Sequence, residues 1–230
     1  MIKALAFDTG GTVLDWHSGV SAALERVGAL RHVEGDWAEM TRSYRRRAMQ
    51  TMTGSVSPAF NIDDVHRDVL RDLVTEHDLT AFTAHDQEEI CRAWHELDAW
   101  PDAAEGLARL RGRYPVVSLT ILSVALIMST SRRNQLDWDC VISCEMLGVY
   151  KPLPEAYRSA ARLLGMQPDE VMLVATHNFD LMAARDVGFR TAFVHRPDEW
   201  GSVGPPDPVP DPAHDIVAAE FLDLAEQLGT

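Results

Sequence analysis

Four stretches of this 230-residue chain carry side chains that could do chemistry: "FDTGGTVLD", "VVSLTIL", "GVYKPLPEAY" and "ATHNFDLMAARDVGF". In the first, an apolar run ends in Asp8, glycines follow at Gly10 and Gly11, and a second aspartate stands at Asp15. A carboxylate at the end of a buried segment is costly unless a cation or donors meet it. Glycines directly after it permit a tight turn that leaves a carboxylate oxygen facing a cleft, the arrangement a carboxylate nucleophile needs. The turn's N–H groups could steady that carboxylate and a developing oxyanion. Thr120 lies near the end of the second stretch, Lys151 in the third and Asp180 in the fourth. Lys3 and Lys151 are the only lysines, every other Lys/Arg position being arginine, so Lys151 invites a specific role. A fixed ammonium there neutralises crowded acids, and Asp180 can pair with it and position water.

The elements that position these residues follow from the apolar pattern. Residues 2–7 read as a short buried strand. From about 17 to 98 the periodicity is helical, in four amphipathic segments separated by turn signals such as "GSVSP". After residue 99 strands and helices alternate, and the strands are continuously apolar, as in a parallel sheet covered on both faces. The reading is an α/β protein with a Rossmann-like parallel sheet core over 1–16 and 99–230. A four-helix cap over 17–98 is inserted after strand one. Ligands of open α/β sheets bind beyond the carboxyl ends of the strands, where Asp8, Thr120 and "ATHNFD" would gather. The Pro-rich tract "GPPDPVPDPAHD" is a loop, since proline cannot join a sheet centre.

Composition sets outer bounds. Apolar residues at 46% and charged residues at 24% are ordinary for a globular domain. A net charge of −14 argues against nucleic acid and anionic membrane partners, but not against a small anionic substrate met by a local arginine. Three cysteines, Cys91, Cys140 and Cys144, without metal-like spacing fit reduced thiols, and the start shows no signal peptide, so a cytoplasmic location is expected. The longest uncharged run, "PVVSLTILSVALIMSTS", falls short of a membrane span.

The order and spacing of Asp8, Thr120, Lys151 and Asp180 resemble the four motifs of the haloacid dehalogenase-like hydrolases. "YKPLPEAY" and "LDWDCVIS" are similar to the L-2-haloacid dehalogenase branch in particular. The resemblance covers essentially the whole chain. It implies an Asp8 nucleophile that attacks the carbon alpha to a carboxylate, expels halide and forms an aspartyl ester. Water positioned through Asp180 and Lys151 then hydrolyses that ester to a 2-hydroxy acid. Family phosphatases carry a second aspartate two residues after the nucleophile as acid for the leaving alkoxide. Here that position is Gly10, and halide needs no proton to leave. Phosphonatase-like members use a cap lysine, and residues 17–98 contain none. No metal or other cofactor is implied, whereas the alternative of a magnesium-dependent small-molecule phosphatase would need Mg. A second alternative is ring-opening of a small cyclic amino acid such as azetidine-2-carboxylate, and a third is a binding member that has lost turnover. The family resemblance also implies a homodimer.

Substrate contacts are expected from Gly10, Gly11, Trp16, His177, Asn178 and a cap arginine. Alignment by eye selects Arg42 over Arg45, Arg46 and Arg47. Three departures stand out. Dehalogenases usually carry an aromatic where Gly10 stands, so the pocket floor should be more open or differently filled. The second motif lacks its asparagine, with spacing selecting Thr120 as its hydroxyl and local similarity selecting Ser123. The last motif shows His177 and Asn178 in place of Ser and Asn, and His177 reads either as a water-orienting base or as a hydrogen-bonded loop residue.

Overall fold

A computed structural model describes residues 1–53 and 61–230; the "GSVSP" turn lies outside the described residues. Strand β1 (Ala4–Phe7) is buried along its whole length and leads straight into Asp8. Four helices follow before the next strand: α1 (Trp16–Arg31), α2 (Trp37–Met52), α3 (Ile62–Glu76) and α4 (Ala84–Ala93). Each starts at a residue whose side chain accepts from the first-turn backbone: Asp15, Asp36, Asn61 and Thr83. The second aspartate of "FDTGGTVLD" is therefore a helix cap, and only the first points to chemistry.

Helix α5 (Ala103–Arg111) returns the chain to the sheet as β2 (Val116–Thr120), followed by α6 (Val124–Asn134), β3 (Cys140–Ser143), and the short α7 (Cys144–Leu147). Then come α8 (Pro154–Leu163), β4 (Val171–Ala175), α9 (Asn178–Asp186), β5 (Arg190–Val194), β6 (Ile216–Ala218) and α10 (Phe221–Leu228). The six strands are parallel in the order β3-β2-β1-β4-β5-β6, so β1 lies inside the sheet although it opens the chain. Phe7 registers with Ser118 on one side and Val174 on the other. The strand order reverses between β1 and β4, and a crevice opens beyond their carboxyl ends at that point. Asp8 and Thr176 are the first residues past those two ends. Topology alone brings the first and fourth motifs together.

Two polar contacts tie the inserted helices to the sheet. Ser123, which caps α6, donates to Asp63 of α3 at 2.8 Å, and Asn61 donates to Glu145 of α7 at 3.0 Å. Among the described residues no helix is long and apolar enough to cross a membrane.

Candidate active site

The turn after β1 is fixed from outside as well as within. Val13 and Leu14 both donate backbone N–H groups to the Thr9 carbonyl. Trp100 Nε1 donates to the Gly11 carbonyl at 2.7 Å, and Arg196 Nε donates to the Thr12 carbonyl at 2.9 Å while its guanidinium forks onto Asp102. Gly11 has φ +95°, and a β-carbon there would fall 2.1 Å from Glu199 Oε1. Both the backbone conformation and the close approach of Glu199 restrict this position to glycine.

Asp8 is buried, and its two oxygens meet different partners. Lys151 Nζ donates to Oδ1 at 2.8 Å. Thr12 Oγ1 donates to Oδ2 at 2.9 Å, and His177 Nδ1 lies 3.2 Å from the same oxygen. Burial alone would raise this carboxyl, but the Lys151 charge and the His177 hydrogen bond and charge outweigh it and hold Asp8 ionised, below the ordinary carboxylate range. Lys151 also donates to Asp180 Oδ2 at 2.6 Å. Burial would lower its ammonium, yet Asp180 and Asp8 together raise it.

Asp180 accepts from Lys151 on one oxygen and from the Tyr157 hydroxyl on the other. Burial and the neighbouring Asp8 raise its pKa, against the pull of Lys151. With both oxygens engaged and almost no exposure, Asp180 orients the lysine. Lys151→Met should therefore cripple folding as well as turnover. Removing the ammonium leaves two buried carboxylates facing each other, a change that costs about 3–5 kcal/mol when a buried pair is broken. The loss should be visible as a fall in thermal midpoint that shrinks at acid pH, where a proton can replace the missing cation. A midpoint equal to wild type at neutral pH would contradict the arrangement.

His177 is more than a loop residue. Its Nε2 meets Glu199 Oε1 at 3.0 Å while Nδ1 faces Asp8. Burial would lower its pKa, but Glu199 and Asp8 push it up to about 10, so the ring is an imidazolium at neutral pH. Glu199, itself only 1% exposed, also accepts from Trp16 Nε1 at 2.9 Å. Trp16 thus contributes by locking Glu199, and it packs edge-on against Trp200.

Arg42 is buried but meets partners within the inserted helices. It pairs with Glu39 at 2.8 Å on its own helix and lies 3.5 Å from His17. The residue one turn further along α2, Arg45, points inward. Its Nη2 donates to the Gly10 carbonyl at 3.3 Å, its guanidinium lies 5.5 Å from the centroid of the Trp16 ring, and Nη1 is buried without a partner. A β-carbon on Gly10 would sit 3.2 Å from Arg45 Nη2 and 3.6 Å from Leu122. The space left by the small residue at position 10 is therefore filled by this guanidinium. Arg46 and Arg47 face outward, onto Glu39 and Glu76.

Asn178 opens α9 and lines a cavity next to His177. Its amide donates to the Val209 carbonyl, and its oxygen accepts from the Asp211 backbone and faces His214 Nε2 at 2.9 Å. It pins the Pro-rich loop. Of the two hydroxyl candidates, Thr120 sits at the end of β2 and exchanges a 2.6 Å hydrogen bond with Thr9 beside the nucleophile. Ser123 is spent on the α6 cap and on Asp63. Thr120 thus supports the turn through Thr9 and has no contact with Asp8 itself.

The residues around Asp8 that the sequence left out are Thr12, Tyr157 and Glu199, while Arg45 was weighed there only as a rival to Arg42. Thr12 and Tyr157 lie inside motifs already quoted. Glu199 sits in an irregular loop without any periodic or motif signal. Together Asp8, Asp180 and Glu199 face Lys151, His177 and Arg45, three buried acids against three cations.

A buried carboxylate lies at the switch point of the six-stranded parallel sheet, paired with a lysine and neighboured by an arginine from an inserted helix. Residues 2–188 match the family model described as haloacid dehalogenase-like hydrolase, and the chain belongs to that family. Within it, the resemblance is to the L-2-haloacid dehalogenases. The chain is 29% identical over 208 residues to (S)-2-haloacid dehalogenase 4A of Burkholderia cepacia, covering 85% of this chain and 84% of the relative. The crystal structure of the defluorinating L-2-haloacid dehalogenase Rha0230 superposes with a TM-score of 0.92 at 34% identity, over 100% of this chain and 96% of that one. That of the L-2-haloacid dehalogenase PA0810 gives 0.91, also at 34% identity, over the full length of both chains.

Proposed function

We propose that the protein hydrolyses the carbon–halogen bond of a 2-haloalkanoic acid through an ester on Asp8, giving the 2-hydroxy acid, halide and a proton. The observation that carries this reading is an ionised, buried Asp8 followed at the second position by Gly10. The nucleophile is charged and aimed by Lys151, yet position 10 offers no acid for a leaving group. Halide leaves as a stable anion and needs none.

The roles follow from charge and distance. The substrate carboxylate pairs with Arg45, whose unpartnered Nη1 calls for an anionic oxygen. An Asp8 oxygen attacks the alpha carbon as the carbon–halogen bond breaks and the halide takes the bonding pair. Esterification removes the charge on Asp8, and with it part of what keeps His177 protonated. The imidazolium then loses its proton to solvent, the proton that the overall reaction releases. Neutral His177, held through Nε2 by Glu199, can take a proton from water attacking the Asp8 carbonyl carbon. Lys151, 2.8 Å from Asp8 Oδ1, stabilises the oxyanion. Collapse of the tetrahedral adduct, with His177 returning the proton to the departing alkoxide, frees the hydroxy acid. The inserted helices, which carry Arg45, serve as a cap that closes water and substrate over Asp8.

Incubation with racemic 2-bromopropanoate and chloroacetate, with free halide followed by ion chromatography, tests the reading. Stoichiometric halide and hydroxy acid are expected without added metal. Hydrolysis of phenyl phosphate esters with no halide from either acid would replace it with the phosphatase alternative.

A further inference from the structure

A cavity of about 550 Å³, walled by the second half of α2, the start of α9 and the loop that follows β5, is lined at one end by His177, whose Nδ1 lies 3.2 Å from Asp8. Its inner end is charged, formed by Arg45, His177 and Glu199, and two atoms there are buried without partners, Arg45 Nη1 and Glu199 Oε2. Its apolar wall is Met49, Phe179, Trp200, Pro205 and Pro206, with Gln50, Thr53, Thr176 and Asn178 also on the lining. Phe179 is 46% exposed, its ring 5.5 Å from His177, in a position where a large apolar side chain gains little from the fold itself. Arg46 and Asp207 close the rim with charge.

We propose that this chamber receives the α-substituent of the substrate, and that the preferred substrates are 2-haloacids with a long or bulky apolar chain. The inference rests on the dehalogenase reading and extends it to a substrate class. Chambers of about 300–1,000 Å³ enclose drug-sized ligands, so a two- or three-carbon haloacid would leave most of this one to water. Charge at one end and hydrocarbon at the other matches an acid whose carboxylate meets Arg45, whose alpha carbon meets Asp8, and whose tail runs outward past His177 to Phe179. The thioether of Met49 and the ring of Phe179 can follow tails of different shape, because methionine adapts and an exposed ring is free to rotate. Proline rings opposite give a rigid apolar wall with few competing donors.

The test measures bromide release along (S)-2-bromopropanoate, 2-bromohexanoate and 2-bromooctanoate. In parallel, calorimetry compares binding of lactate with that of 2-hydroxyoctanoate, which needs no turnover. A fully buried methylene is worth about fourfold in affinity, and partial burial along an open chamber should still give about a tenfold rise in kcat/KM from the shortest acid to the longest. The rise should appear in KM, and 2-hydroxyoctanoate should bind more tightly than lactate. Phe179→Ala and Met49→Ala should each reduce the advantage of the octanoate at least about threefold more than they affect the propanoate. Turnover of 2-bromopropanoate with a flat or falling series, and equal binding of the two hydroxy acids, would overturn the assignment while leaving the dehalogenase reading intact. Silence on every bromoacid would remove that reading and this inference together.

Discussion

Asp8→Asn should release no halide above background from any haloacid, a loss of at least about 10⁴-fold, the scale seen when a covalent nucleophile is removed. The amide is nearly the same size and can still accept from Thr12, so the turn between Thr9 and Leu14 should survive. The charge is what disappears. A neutral amide oxygen is a poor nucleophile toward saturated carbon, and its NH2 group would face either Lys151 or His177, both cations. The fold keeps its other fixings, namely the Trp100 and Arg196 bonds to the turn carbonyls and the full hydrogen bonding of β1. Circular dichroism should therefore be unchanged while activity is lost. A single turnover of wild type in ¹⁸O-water gives an independent check. The first product should carry unlabelled oxygen taken from Asp8, and the label should appear in the enzyme. Direct attack by water would label the product and spare the enzyme, and that result would end the proposal.

The positions of Asp8, Lys151 and Asp180 were legible in the sequence for one reason. Each stands at a junction that local chemistry marks: an apolar run meeting Asp-Thr-Gly-Gly, a solitary lysine beside proline, and an acid in the first turn of a helix after an apolar strand. The parallel sheet was legible from its continuously apolar strands, since burial on both faces removes the alternation that a half-exposed strand shows. The arginine was not legible in the same way. Arg42, Arg45, Arg46 and Arg47 share one helix, and sequence spacing fixes only their relative angles around its axis. Both Arg42 and Arg45 are buried, and which of them reaches Gly10 depends on how α2 packs on α1 and α3, where Tyr44, Ala48 and Met52 carry Arg45 in beside them. The bonds of Asn178 to a loop were not legible, because an amide next to a catalytic motif suits a ligand and a loop equally well and the loop it holds lies more than thirty residues ahead. Glu199 carried no signal at all. An acid in a segment of prolines, glycines and charges reads as solvated, and only the tertiary fold shows it walled in by Trp16, His177 and Gly11.

His177→Asn is expected to separate the two halves of the reaction. Attack by Asp8 needs charge and aim, which Lys151 and Thr12 still supply, so about one halide per active site should appear in a rapid burst. Hydrolysis of the ester needs an acceptor for the water proton, and removal of a general base costs about 10²–10⁴-fold. The steady state should fall by that factor, and intact-protein mass should show the acyl adduct accumulating on Asp8. Loss of the burst along with the steady state would assign His177 to the attack instead. Glu199→Gln refines the argument through pH. Glu199 and Asp8 raise the His177 pKa to about 10 in the resting enzyme. A cation with a raised pKa contributes stability that is complete below its unfolded value, near 6.5, and is lost as pH climbs through about 10. Replacing Glu199 by the neutral amide removes the larger of the two charges, so this stabilisation should shrink and its alkaline loss should begin at lower pH. In the ester the Asp8 charge is already gone, and Glu199 alone keeps the ring basic. The acid limb of kcat, which reports the fraction of neutral His177 in that intermediate, should therefore shift to lower pH in Glu199→Gln even as the maximal rate drops. A Glu199 whose only task is to fasten Trp16 would lower the thermal midpoint and leave that limb where it is in the wild type.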